Sequence, residues 1–337
     1  MSQGPSITNL QTLRAFAALN VVIFHCIGTS LAHGYALPVF GRLEGWGANG
    51  VDIFFVISGF VMVYTQWSRP RHPYNFALNR ILRIAPIYWL LTLLYLLLTA
   101  FMPSSVINST AAPPTYVLSS LLFMSGIVSQ SWPLLYVGWT IEYEMAFYAI
   151  FAVSIYLKSP ALRLFFLGIG ILGLMIFLPY TAIALEFLFG ALLGALYLRG
   201  VKIGYPAIVG GIGACLLLAT IGFEVSDIAR PVIWGIPALL IVIAALYLPQ
   251  TKQKFLTVLG DASYSIYLAQ VFTITATYKV FSALGLKENG DLLMIVAVIG
   301  STIGGLAAYY LLERPITRWI RGINPQFARE PLYPLNK

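Results

Sequence analysis

The chain alternates long apolar runs with short polar connections, and this pattern predicts a bundle of membrane-spanning helices. Each run is about 17–25 residues long, the length that an α-helix needs to cross the hydrocarbon core of a bilayer. Glycine and proline recur within the runs, as membrane helices tolerate. We predict an all-α integral membrane protein with about ten transmembrane helices, near residues 13–32, 49–67, 86–102, 136–157, 162–178, 181–199, 204–222, 230–248, 262–284 and 290–312.

The apolar stretch 115–128 lies in a long connection, 103–135, that contains no lysine or arginine. We predict that this stretch is an interfacial or re-entrant piece, because it is short for a span. Basic residues agree with this choice. With ten spans and both termini in the cytoplasm, the outer connections hold only Arg42, Arg230 and Lys287. A full span at 115–128 would reverse every later connection and break the positive-inside rule.

Composition excludes a soluble globular domain and leaves little room for a metal site. Of the 337 residues, 59% are hydrophobic and only 9% are charged, whereas soluble domains carry about 25% charged residues. The net charge of +8 follows the predicted topology, so we expect no nucleic-acid partner. Cys26 and Cys215 both lie in apolar spans, and the histidines form no ligand cluster. We therefore expect neither a disulfide framework nor a bound metal.

Arg14 and His25 lie on one apolar stretch, RAFAALNVVIFH, and are the most informative pair in the chain. An α-helix advances about three turns between them, so both side chains point the same way, roughly 16 Å apart along the axis. An ionisable group deep in a bilayer is a candidate functional residue by default. The pair predicts a groove for a long polar ligand. The alternative is an arginine that reaches the interface and a core histidine that bonds to a neighbouring helix.

Two or three carboxylates are predicted to lie in the outer half of the membrane, at a depth similar to that of His25. Asp52 begins the second span, and Glu142 and Glu144 begin the fourth. An imidazole with a carboxylate that orients it is the equipment for general-base chemistry. Glu142 and Glu144 point to nearly opposite faces of a helix, so at most one of them faces His25. For Asp52 and Glu142 the alternative is a structural hydrogen bond between helices. Trp139 and Glu142 are candidates for substrate contact.

Arg80 and Arg83 lie one turn apart on a helix that Pro86 would end or kink. Two guanidinium groups on one face suit phosphate, since each offers a planar, charged fork of donors. Ordinary positive-inside anchoring is the alternative for this pair.

At these residues the sequence resembles the membrane acyltransferase 3 family. The family's arginine, ten residues and then histidine on the first span match Arg14 and His25. The other matches are GVDxFFxxSGF at residues 50–60, RxxR at Arg80 and Arg83, W-[ST]-[LI]-x-x-E-x-x-F-Y at residues 139–148, SYSIYLxx at 263–270 and ERP at 313–315.

The resemblance implies transfer of an acyl group, usually acetyl from cytoplasmic acetyl-CoA, to a sugar hydroxyl of a polysaccharide or its lipid-linked precursor. Arg80, Arg83 and Arg14 would hold the phosphates of CoA. His25 would act as a base on the acceptor hydroxyl or as a transient acyl carrier, oriented by Glu144 or Asp52. Glu144 matches the recurrent acid of the motif, whereas Glu142 stands at a variable position.

The resemblance covers essentially the whole chain. It implies one transmembrane acyltransferase domain over residues 1–323 and a cytoplasmic tail over 324–337, in the bacterial inner membrane, as a multi-pass protein surrounded by lipid. The WTIEYEMAFY segment is most similar to the short, polysaccharide-modifying branch. Gln270 stands where many members have histidine, so no role for a second histidine is implied.

A transporter or flippase of lipid-linked sugars is the main alternative, since it too would have about ten spans with buried charges. Such proteins often show internal repeats or paired broken helices. We find no repeat between the two halves of this sequence.

Overall fold

The computed structural model describes residues 7–101, 113–177 and 182–323, and within them the backbone is helical, without a β-strand. The predicted tail at 324–337 lies outside the described residues. The α-helices, in chain order, are α1 Thr8–Ala32, α2 Gly50–Ser68, α3 Pro73–Phe101, α4 Pro114–Leu121, α5 Trp139–Ser154, α6 Pro160–Phe177, α7 Leu185–Leu198, α8 Pro206–Leu218, α9 Ile236–Tyr247, α10 Lys254–Asp261, α11 Ser263–Ala283, α12 Gly290–Ala308 and α13 Arg314–Ile323.

Apolar helices lie where the sequence predicts spans, which confirms an all-α protein. In the described part of the chain, 4 stretches are long and apolar enough to cross a bilayer: Thr8–Ala32, Phe40–Ser68, Pro73–Phe101 and Gly290–Ile323. Shorter apolar helices include Pro160–Ile176, Ala182–Leu198, Pro206–Leu218 and Pro231–Tyr247. The number of ten spans and the cytoplasmic position of the termini stay predictions.

Contacts between helix termini and loops define two ends of the bundle. At the end that contains Arg14, here the Arg14 end, the side chain of Asn9 donates to backbone carbonyls of the loop after α9. At the opposite end, here the Asp52 end, the carboxylate of Asp291 accepts hydrogen bonds from backbone N–H groups of the loop after α1. In both cases, the charge pattern places the helix terminus and the loop that it contacts on the same side of the membrane.

The core of the bundle depends on close packing of α2 against α7. A Cβ atom at Gly59 would overlap the backbone carbonyl of Phe187, and one at Gly190 would overlap that of Val56. Glycine therefore lets the two backbones approach directly, as small residues do in membrane helix pairs. The rings of Phe55 and Phe187 stack beside this contact with centroids 4.2 Å apart.

The helix that carries Arg80 and Arg83 does not end at Pro86. Instead, α3 continues from Pro73 to Phe101 with Pro86 inside it. Neighbouring helices in a membrane bundle supply partners for the backbone groups that a proline frees, so an internal proline is tolerated. The two arginines therefore belong to the same continuous helix as the apolar residues that follow them.

The connection between α3 and α5, residues 102–138, is here called the outer connection after the side that the charge pattern predicts for it, and its described part lies along α3. Its described part holds the short helix α4 and a single π-helical turn at Ser125–Ser129. The Tyr88 hydroxyl and the Trp89 indole, in the middle of α3, donate to the backbone carbonyls of Ser120 and Leu121. An eight-residue helix is too short to cross a bilayer. This geometry agrees with the prediction of a re-entrant piece.

Candidate functional site

Helix α1 places Arg14 and His25 in different surroundings. The Arg14 side chain is buried, and its Nε donates to the Ser263 hydroxyl at 3.2 Å. The His25 ring is half-buried, with ring centroids 4.8 Å from Phe24 and 5.1 Å from Tyr136. Within the described residues, no protein group forms a hydrogen bond with its ring nitrogens. An imidazole without a protein partner has both nitrogens available for a substrate.

The predicted phosphate-binding arginines converge at the Arg14 end. Arg14 and Arg83, from α1 and α3, both act on the carboxylate of Asp261. Burial raises the pKa of Asp261, and the two guanidinium groups oppose that rise. Arg80 is buried, and its guanidinium carbon lies 6.0 Å from the Tyr148 ring centroid. Arg83 also lies within electrostatic range of Tyr148. We call Arg14, Arg80 and Arg83 the basic cluster.

Glu144 lies beside the basic cluster and does not bond to His25. Its Oε1 accepts a hydrogen bond from the Ser58 hydroxyl at 2.9 Å and another from the hydroxyl of Tyr148. Tyr148 in turn faces Arg80. The structure thus brings the recurrent acid of the span to the arginines, whereas the prediction had placed it next to the imidazole.

Asp52 bonds to Arg230, and not to His25, in the described structure. Both oxygens of the fully buried Asp52 accept hydrogen bonds from the guanidinium group, at 3.0 and 2.7 Å. Arg230 also donates to the carbonyl of Ala48 at 3.0 Å. In a bidentate pair of this kind, both carboxylate oxygens already accept a hydrogen bond from the arginine. This geometry fits the alternative that Asp52 is a structural link between helices.

Glu142 and Trp139 lie in the first turn of α5 and contact the outer connection. The two oxygens of Glu142 accept hydrogen bonds from the backbone N–H groups of Ser125 and Gly126, at 2.9 and 3.0 Å. Glu142 thereby holds the π-helical turn against α5, which is again a structural contact. Trp139 is half-buried, with its ring centroid 5.9 Å from that of Trp132.

Sequence reasoning missed Glu186, Arg230 and Tyr136. Glu186 is fully buried within electrostatic range of Asp52 and Arg230, and a lone acid in an apolar span was the signal that marked it. Arg230 had been assigned to an outer loop as a topology residue. No signal in the sequence distinguished Tyr136 from the other aromatic residues of a membrane interface.

Comparisons with known proteins identify relatives of the chain. Residues 7–314 match the family described as "Acyltransferase domain", a range that includes every predicted site residue. The chain is 34% identical over 296 residues to the "Exopolysaccharide production protein ExoZ" of Rhizobium meliloti (strain 1021), covering 81% of this chain and 90% of that protein. No solved structure matches the chain.

Proposed function

This chain belongs to the acyltransferase family, and from that premise we propose that it moves an acetyl group from cytoplasmic acetyl-CoA to a sugar hydroxyl. The acceptor is an exopolysaccharide, an O-antigen or a lipid-linked precursor, and the name of the relative from Rhizobium meliloti supports the first of these. The observation that carries the proposal is the arrangement on α1. Arg14 joins a basic cluster, and His25, three turns away on the same face, contacts the outer connection.

The basic cluster is the donor end of this arrangement. CoA carries its phosphates at the end opposite to the thioester, so the phosphates and the reacting carbon are held at separate places. Guanidinium groups bind phosphate through paired, charge-assisted hydrogen bonds. With the phosphates on Arg14, Arg80 and Arg83, the pantetheine arm follows α1 and delivers the thioester to His25.

His25 supplies the proton chemistry by one of two routes. As a base, it removes the proton of the sugar hydroxyl while the oxygen attacks the thioester carbonyl, and the CoA thiolate that leaves takes the proton from the imidazolium. As a carrier, a ring nitrogen attacks the thioester and releases CoA, and the sugar hydroxyl then takes the acyl group from the ring. Both routes produce free CoA and an acetyl ester.

The proposal includes a topology. The protein lies in the bacterial inner membrane with ten spans, both termini and the basic cluster on the cytoplasmic side, and the outer connection on the other side. The positive-inside distribution supports it, as do the loop contacts at the two ends of the bundle. A flippase of lipid-linked sugars, the alternative, is not favoured by membership of an acyltransferase family.

Purified protein in detergent tests the proposal directly. It should release free CoA from acetyl-CoA and transfer radiolabelled acetyl to polysaccharide of the producing cell. A flippase would leave acetyl-CoA intact, and that result would reject the enzyme.

Arg83→Ala should raise the KM for acetyl-CoA about tenfold or more, since a hydrogen bond to a charged group contributes about 1.5–3 kcal/mol. The wild-type KM should also rise with ionic strength because salt screens the phosphates, and the variant should respond less steeply. Arg42→Ala is the matched control, because Arg42 is exposed and lies outside the cluster. An unchanged KM for acetyl-CoA in Arg83→Ala would contradict phosphate binding and favour the alternative that this arginine only anchors the helix on the positive side of the membrane.

Glu144→Gln should mainly lower acyl transfer, whereas Glu142→Gln should mainly lower stability. Glutamine at 144 weakens the hold on Tyr148 beside the basic cluster, so we expect acyl transfer to fall about tenfold with little loss of stability. Glutamine at 142 turns an NH2 group toward backbone N–H donors and costs about 1–3 kcal/mol, which limited proteolysis of the outer connection should detect. Greater loss of transfer in a stable Glu142→Gln protein would contradict this assignment.

A further inference from the structure

The outer connection has a chemical character unlike that of the rest of the protein. Residues 103–141 contain no Asp, Glu, Lys, Arg or His, yet they are rich in serine, threonine and aromatic residues. A surface of this composition offers hydroxyl groups and ring faces but no charge. It therefore suits a ligand that is polar and neutral.

Three aromatic side chains near the end of this connection and the start of α5 are here called the aromatic wall: Trp132, Tyr136 and Trp139. The Tyr136 ring meets His25 with centroids 5.1 Å apart, and the Trp132 and Trp139 rings meet edge to face at 5.9 Å. Trp132 is 45% exposed and Tyr136 is 39% exposed. Tyr136 thus meets the imidazole, and Trp132, four residues earlier, presents open ring surface.

A groove of about 440 Å³ adjoins the wall. The Tyr116 hydroxyl, which helps to line the groove, donates to the backbone carbonyl of Trp132 at 2.6 Å and so joins the groove to the wall. A groove of this size holds a small ligand. Most of its lining side chains carry hydroxyl groups, and the full set is Pro113, Thr115, Tyr116, Val128, Ser129 and Ser131.

Hydrogen bonds hold the segments that form the groove in place before any ligand arrives. Glu142 fixes the π-helical turn, and the hydroxyls of Ser119 and Ser129 bond to each other at 2.8 Å. The Trp89 indole ties the end of α4 to α3. A surface that is already ordered loses less conformational entropy on binding.

We propose that the aromatic wall and the adjoining groove bind uncharged sugar residues of the acceptor and present one hydroxyl to His25. This inference rests on the proposed function and names the class of acceptor that the site takes. The C–H face of a pyranose ring packs on an aromatic ring, and its hydroxyls exchange hydrogen bonds with Ser, Thr and Tyr. A uronic acid or a sugar phosphate finds no cationic side chain among the residues of the aromatic wall and the groove lining.

The test measures acetyl transfer to two probes made from de-O-acetylated polysaccharide of the producing cell: neutral oligosaccharide fragments and acidic ones. Trp132→Ala should raise the KM for neutral fragments about tenfold, which corresponds to about 1.4 kcal/mol of lost binding, and leave the KM for acetyl-CoA unchanged. Trp132→Phe keeps an aromatic ring, so its KM for neutral fragments should lie between those of the wild type and Trp132→Ala. Trp319→Ala is the matched control, because Trp319 is 66% exposed on α13, outside the wall.

Two results would overturn the inference: an unchanged KM for neutral fragments in Trp132→Ala, or a preference of the wild type for acidic fragments. A tryptophan-fluorescence titration with the neutral fragments separates this inference from the proposed function. Quenching that is present in the wild type and lost in Trp132→Phe supports the sugar site even if acetyl-CoA is not consumed. Consumption of acetyl-CoA without such binding supports the enzyme and rejects the sugar site.

Discussion

Replacing His25 with alanine should abolish acetylation of the polysaccharide while leaving the protein folded. A positioned general base contributes about 10²–10⁴-fold to the rate, and loss of a covalent carrier would be more severe, so we expect a fall of at least ~100-fold. Stability should change little, because the described structure gives the ring nitrogens no protein hydrogen bond to lose. Acetyl transfer in detergent, with gel filtration of the variant, checks both expectations.

His33→Ala is the matched control for this prediction. His33 is exposed and lies directly after the last residue of α1, where its Nδ1 contacts the carbonyl of Thr29 and its ring stacks on that of Tyr278. It shares the residue type with His25 but not the contact with Tyr136. His33→Ala should keep the wild-type rate. A His25→Ala protein that still acetylates polymer would remove the imidazole from the mechanism.

The comparison of sequence with structure shows where helical periodicity suffices. The apolar runs located the helices, and the spacing of Arg14 and His25 placed both on one face of α1 because the helix repeat is fixed. Convergence of the basic cluster needed more, since Arg14 and Arg83 belong to different helices. The resemblance to a family supplied that link, and the electrostatic effect of both on the pKa of Asp261 agrees with it.

Partners of the carboxylates could not be predicted, because they come from distant parts of the chain. Asp52 meets an arginine 178 positions later, and Glu142 meets backbone N–H groups that the local sequence does not identify. Depth in the membrane indicated which acids lay near His25, but depth alone does not fix which way a side chain turns. The lone acid Glu186 was visible in its apolar span and would have been found by applying the same rule to every span.

Arg230→Met should destabilise the protein strongly, because Arg230 is the hydrogen-bonded partner of Asp52 and lies near Glu186. Its side chain is only 13% exposed, and Asp52 is fully buried, with Glu186 buried beside them. Removing this guanidinium leaves the buried carboxylates of Asp52 and Glu186 without compensation. Breaking a buried ion pair costs about 3–5 kcal/mol. Methionine keeps much of the aliphatic volume, so lost packing does not explain the effect. Chemical denaturation in detergent micelles measures the free energy of unfolding.

A double-mutant cycle separates the charge effect from a general effect of the substitution. Asp52→Asn in the Arg230→Met background removes one uncompensated charge, so it should restore part of the lost stability, whereas the same change in the wild type should lower stability. Arg42→Met, on an exposed arginine at the same end of the bundle, should stay within about 0.5 kcal/mol of the wild type. If the two changes at the pair are simply additive, the ion pair is not what joins α2 to the segment before α9, and the stability of this end comes from apolar packing alone.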